Sequence, residues 1–323
     1  MYLPPPTIIS RFTTDSISSL TITPATEGTA RMRHLPVGTG KPLRCRISTI
    51  QGNSITLTYR QLGTPCCFLQ GMDQLPPSAD VLAIYQQLRQ AGYTDDRIIL
   101  IVEDDIADNV SNPNKGVILV TIGGNNVYEN VEIDYRMSSL KAKDILAILN
   151  GEKSESLPTV IESTENDNLF VFWSGHGVPG AMCWDEEPYA MTGDDLSTVF
   201  KDMNFKKCYR KLLMMVEACF SGGVMEQCEG IPGMLFITAA NGDETSKADV
   251  FNGEMKVWMS NRFTSTFIEQ ITDNKDVAMR DLYYRLFINT VGSHVMVYNA
   301  ENYGNLYSAN MSEFINFKND KSK

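Results

Sequence analysis

No stretch of about 18 consecutive apolar residues occurs in the chain, so the sequence carries no candidate for a membrane-spanning helix. The opening, MYLPPPTIIS, has no basic start followed by an apolar run and does not read as a signal peptide. Basic residues are in deficit, 28 against 39 acidic, and the resulting charge of −11 removes general attraction for nucleic acid or anionic lipid. Cysteine is sparse, seven in 323 residues, too few for a disulfide scaffold and odd in number. None of the seven shows the C-x2-C spacing of a zinc site, so no metal or other cofactor is expected. Histidine is scarcer still, at three.

What is present is enough apolar residue, 43%, to bury one large core or a core with a satellite. Residues 1–64 are rich in Thr, Ser, Pro and β-branched types. They read as a β-rich N-terminal extension or small module, with ISTIQGNSITLTY (47–59) as a hairpin about its Gly-Asn turn. From residue 65 to 323 short apolar runs alternate with helical periodicity. CCFLQG (66–71), RIILIVED (97–104), GVILVTI (116–122), NLFVFW (168–173), LLMMVEA (212–218) and GMLFITAA (233–240) read as strands. Segments 79–92, 140–151 and 194–203 read as helices, the first two stopped by Gly92 and Gly151, the third capped by Asp194. A polar hairpin is expected around AMCWDEEPYAM. This order predicts an α/β fold, a mostly parallel central sheet with helices on both faces.

In such a sheet, ligands bind beyond the carboxyl ends of the strands. NLFVFW runs into SGHG, which puts His176 past one strand, and LLMMVEA runs into Cys219 past another. The 43 residues between them fit a strand, crossover helix and return to a parallel strand, so both side chains are expected at one edge. Without context a loop histidine and a buried small cysteine are the ordinary readings of these two residues. Gly175 and Gly177 about the imidazole, and Gly222 and Gly223 after the thiol, favour a site, because they allow close backbone approach and free N–H groups. Glu217, a carboxylate in an apolar run, is costly unless paired or set in a pocket that binds something polar. It is expected to line such a pocket beside the nucleophile. TIGGNNV (121–127) lacks the spacing of a phosphate loop and reads as a turn, and His294 reads as a strand residue.

These residues resemble the legumain family of cysteine peptidases (peptidase family C13), within the larger caspase-like group. There a His followed by Gly, and a Cys within Glu-Ala-Cys-x-Ser-Gly, form the catalytic dyad. EDDIADNVSNPNKGVIL (103–119), NVYENVEIDYR (126–136), ITAAN (237–241) and SHVMVY (293–298) resemble segments found in the same order in that family, so the likeness covers about residues 66–300. VEIDYR also resembles the transamidase that attaches glycolipid anchors.

The resemblance implies a caspase-like three-layer α/β/α sandwich and a cysteine endopeptidase acting on protein or peptide substrates. It also implies a secreted, periplasmic or lysosome-like setting. Cys219 would be the nucleophile, His176 the general acid/base, and the amides of Gly177 and Cys219 the oxyanion donors. Glu217, Ser221, Thr245, Ser246 and Gln74 would contact substrate, Gln74 standing where the family has the Asn that orients its catalytic His. The family's pocket Arg falls at Pro76, by gapless count from Ala79-Asp80, and its pocket Asp at Val257 before Trp258. An Arg-Glu-Asp pocket reads both ends of an asparagine amide. With Glu217 alone retained, a basic residue before the scissile bond (P1) is the expectation set against the family's Asn. Arg97 and Arg262 remain as cations that another loop path would bring in. The family's C-terminal inhibitory helical domain has no counterpart in the sequence. A transpeptidase or ligase using the same thioester, and a catalytically idle relative used for binding, stand as alternatives.

Overall fold

The computed structural model describes residues 44–46, 58–60, 75–103, 107–108, 112, 114–184 and 190–317. Compactness divides the chain into Met1–Thr64 and Pro65–Lys323. In the first unit β1 (Arg44–Arg46) pairs antiparallel with β2 (Thr58–Arg60) in a register centred on residue 52, in the Gly52-Asn53 dipeptide. Most of the expected 47–59 hairpin, and the expected strand 66–71, lie outside the described residues.

The second unit runs α1 (Leu75–Gln90), β3 (Ile101–Val102), β4 (Tyr135–Arg136), α2 (Ala142–Leu149), β5 (Asn168–Ser174), β6 (Gly177–Val178), β7 (Ala181–Cys183) and β8 (Ala190–Thr192). It continues with α3 (Gly193–Phe205), β9 (Lys211–Glu217), α4 (Ser221–Met225), β10 (Met234–Thr238), β11 (Ala248–Asn252), β12 (Val257–Asn261), α5 (Arg262–Asp273), α6 (Met279–Asn289), β13 (Met296–Tyr298) and α7 (Ala300–Tyr303). The main sheet has the order β13-β10-β9-β5, with β5, β9 and β10 parallel and β13 antiparallel at the edge.

Strand parity builds the layers. Leu212, Met214 and Val216 pack with Ile145 and Ile148 of α2 and Leu196, Phe200 and Met203 of α3 on one face. Leu213 and Met215 pack with Ile84 of α1, Phe263 and Phe267 of α5, and Leu282 and Leu286 of α6 on the other. Residues 212, 213, 215 and 216 have no exposed surface, and each such side chain contributes roughly 1.5–3 kcal/mol of transfer free energy. The result is the expected helix–sheet–helix sandwich.

The local expectations fare unevenly. Helix α1 stops at Gly92, whose φ is +90° and whose successor Tyr93 donates back to the Leu88 carbonyl at 3.1 Å. Gly151 ends α2 in the same left-handed way, with Glu152 N donating to the Ala147 carbonyl at 2.9 Å. The cap of α3 is Thr192 rather than Asp194: its hydroxyl accepts from Asp195 N at 3.2 Å, and Asp195 Oδ2 accepts from Thr192 N at 3.0 Å. Residues 116–122 form no strand: 117–119 are irregular, between a turn at 114–116 and bends and a turn from 120. Asn126 clasps that segment, accepting from Ile118 N and donating to the Gly116 carbonyl, while Asn112 takes the Val117 carbonyl. Side-chain amides thus hold backbone groups that a ladder would have used. Of the described residues 97–103 only Ile101 and Val102 pair, because Asp134 takes the Leu100 amide at 2.8 Å and residues 95–97 form a 3-10 turn. Segment 121–124 is the expected turn.

Candidate active site

Ladder register places the two reactive groups. Each β5 residue pairs with the β9 residue 43 positions on, from Asn168↔Lys211 to Ser174↔Glu217. His176 and Cys219 each lie two positions beyond that last pair. Gly175 N extends the ladder by one bond, to the Glu217 carbonyl at 3.0 Å. The two turns are pressed together immediately after it. A Cβ on Gly177 would stand 2.0 Å from the Cys219 carbonyl oxygen and 3.3 Å from the Ala218 Cβ, so only glycine fits beside the imidazole. The His176 carbonyl accepts from Cys183 N at 2.9 Å, which ties its loop to β7.

Strand β9 ends at Glu217, and Cys219 sits in a sharp turn whose next residue, Phe220, is left-handed at φ +56°. Such a conformation in a bulky residue is strained and is held from outside. Here Phe220 N donates to the Glu244 carbonyl at 2.8 Å. Gly222 N and Gly223 N are already bonded, to the carbonyls of Ala240 and Phe220, at 3.1 Å each. They are not the free amides that the sequence suggested. Gly222 is small because the backbone of Asn241 and the Tyr298 hydroxyl crowd it. Ser221 has no exposed surface and donates to the Ala240 carbonyl at 3.3 Å, so it ties the Cys219 turn to the end of β10.

Ser246 lies between the thiol and the buried carboxyl. Its hydroxyl lies 3.9 Å from Cys219 Sγ and is close enough to Glu217 to ease its ionisation slightly. Thr245 is half-buried and accepts from Lys247 Nζ at 2.8 Å. The loop carrying both is anchored by Glu244, which accepts from His294 N at 2.7 Å and lies 2.9 Å from its Nδ1. His294 is therefore an exposed loop residue ahead of β13, not a strand residue. Gln74 lies outside the described residues.

Glu217 shares strand parity with Leu213 and Met215, so it points to the α1/α5 face. It is 1% exposed, and neither carboxylate oxygen makes a hydrogen bond of good geometry with the described residues. Burial pushes its carboxyl well above the ordinary range; the neighbouring Asp80 charge adds to this, and Ser246 and the Phe263 amide only partly offset it. Asp80 was passed over in the sequence, though its place at i−4 from Ile84, on the sheet-facing stripe of α1, is the same anomaly as Glu217 in its strand. It is 0% exposed, and burial raises its carboxyl to about 7 against opposing bonds from Asn261 and Ser174. Of the two spare cations, Arg97 reaches Asp167 at the far end of β5, and Arg262 is engaged by Asp249 at 3.3 Å. Among the described residues no group of three or more His, Cys, Asp or Glu is arranged to hold a metal ion, and no helix is long and apolar enough to cross a membrane.

A thiol and an imidazole thus lie on touching turns past adjacent parallel strands of an α/β sandwich, above a buried carboxyl. The sequence matches the Peptidase C13 family over residues 72–314, and the chain belongs to that family. It is 30% identical to the legumain of Rattus norvegicus over 227 residues, 68% of this chain and 52% of that protein. It is 35% identical to the vacuolar-processing enzyme of Ricinus communis over 194 residues, 58% and 39% of the two chains. The chain thus spans about half or less of the length of these relatives. The crystal structure of caspase-1 from Spodoptera frugiperda overlaps 66% of this chain and 87% of its own at 14% identity and a TM-score of 0.38, too distant to add to the argument.

Proposed function

We propose that this chain is a cysteine endopeptidase that cleaves after a basic residue. The carrying observation is the β5–β9 register, which sets His176 and Cys219 at equivalent positions past neighbouring strands. Cys219 Sγ attacks the scissile carbonyl carbon while its proton passes to His176. The amides of Gly177 and Cys219 receive the oxyanion. Collapse of the tetrahedral species expels the amine, which takes the proton from His176 and leaves a thioester on Cys219. Water, deprotonated by His176, then releases the acid and restores the thiol.

The preference for a basic P1 residue rests on Glu217. A buried carboxyl with unused acceptors, beside a second acid, is complementary to a donor-rich cation, and a hydrogen-bonding site left unfilled discriminates strongly. A panel of peptides differing only in Arg, Lys, Asn or Asp at P1, cleaved by wild type beside Cys219→Ala, tests both parts. Arg or Lys is expected to exceed Asn by about tenfold or more in kcat/KM, and the variant to be silent. Asn favoured over Arg by a similar factor overturns the specificity.

A further inference from the structure

The floor of the proposed pocket holds two acids, and they differ in what surrounds them. Asp80 Oδ1 accepts from the Asn261 amide at 3.1 Å, and its Oδ2 accepts from Asn261 Nδ2 at 2.8 Å and from the Ser174 hydroxyl at 3.0 Å. Ser174 is itself the ladder partner of Glu217, so the two carboxyls share one corner beneath the ends of β5 and β9. Donors aimed at Asp80 stabilise its ionised form; among the described residues no donor of good geometry does the same for Glu217. Two neighbouring buried carboxyls do not both ionise readily, and their protons leave as those of a pair.

We propose that Asp80 and Glu217 form a proton-sharing pair in which Asp80 carries the charge of the empty pocket and Glu217 keeps its proton until a cationic side chain enters. On entry Glu217 releases that proton to solvent and becomes the counter-ion. Asp80 never touches the substrate in this scheme. It is a positioning residue that sets the pH range over which the pocket accepts a basic group, and this consequence rests on the basic-P1 reading above.

The other groups around the pair are spoken for. Cys219, two residues along, adds to the upward push on Glu217. From α5, Arg262 faces Asp249, and the Thr264 hydroxyl leans weakly toward Asp80. On the 241–247 loop Lys247 donates to Thr245, and Glu244 pairs with His294. His176 stands on the β5–β6 turn. The upward displacement of both carboxyls agrees with the scheme.

An infrared pH titration of the whole protein reads the pair directly, without substrate. At a pH well above the value of about 7 to which burial raises Asp80, wild type should still show a protonated-carboxyl carbonyl band, and that band should be absent in Glu217→Gln. In Asp80→Asn, with the like charge gone, the band should titrate away at lower pH, and the acid limb of kcat/KM on a P1-Arg peptide should move down with it. Ser174→Ala keeps the test alive should Asp80→Asn not fold. Losing a donor to Asp80, it should move the first ionisation of the pair to higher pH. No band in wild type, or a band and limb unmoved in the variants, overturns the proposal; altered rate or stability with an unmoved limb would mark Asp80 as a purely structural residue. A titration that behaves as stated, with Arg and its neutral isostere citrulline cleaved equally, upholds the pair and overturns the basic-P1 reading instead.

Discussion

The two ends of the β5–β9 ladder are built to opposite standards. At the start, Arg210 donates from its amide to Asp167 and from Nε to Asn168, Asn168 donates to the Glu313 carbonyl, and Lys211 meets Glu313 at 2.7 Å. The charges at that end are partly exposed and partnered, as a solvated strand start requires. At the finish, 43 residues of offset deliver an imidazole and a thiol. There a bulky residue is left-handed, a glycine has no room for a methyl group, and two carboxyls are sealed from water, one without a good partner. The difference teaches where this chain spends its stability. The apolar middle of β9 supports a left-handed turn and an unpaired buried carboxyl at its carboxyl end, and that end is where ligands bind a parallel sheet.

The comparison breaks most completely at Gly177. Gly177→Ala forces a methyl group onto the Cys219 carbonyl and separates the two turns. Peptide cleavage should fall by about 100-fold or more, since small misplacements of reacting groups are that costly. Denaturant melts should show a further loss of about 1–3 kcal/mol from overpacking. Leu213→Ala probes the middle. It removes a side chain with no exposed surface, and about 3 kcal/mol of unfolding free energy should go with it, while kcat per folded molecule stays within about twofold because nothing at the strand end moves. The well-satisfied end sharpens the contrast by changing little. Lys211→Met breaks a pair whose side chains are 28% and 25% exposed, and about 1 kcal/mol or less should be lost, with cleavage unaltered.

Much of this was legible in the residues themselves. The runs at 168–173, 212–218 and 233–240 are continuous and apolar because both faces are covered, and the structure has strands at all three. The separation of His176 and Cys219 carried the ladder offset in plain view. Segments whose fate depends on side-chain competition were not legible. The apolar run GVILVTI looks like a strand until Asn112 and Asn126 are seen holding its backbone, a contact no periodicity encodes. Gly222 and Gly223 read as a backbone opened for substrate, whereas their amides serve the turn itself. Asp80 was missed for a related reason. One acid in a helix stands out only once its stripe is known to face the sheet, and its meaning arrives only with Asn261, 181 residues away.

The central claim is that Cys219, positioned by that register beside His176, forms the covalent bond. Intact-mass and peptide mapping after reaction with a peptidyl acyloxymethyl ketone tests it most directly, because Cys183, Cys208 and Cys228 are further cysteines outside any disulfide in the same chain. The account predicts a single adduct, on Cys219, with complete loss of cleavage, and a fall of about 100-fold in turnover for His176→Ala. An adduct on another cysteine that abolishes activity, or continued cleavage by Cys219→Ala, would contradict it.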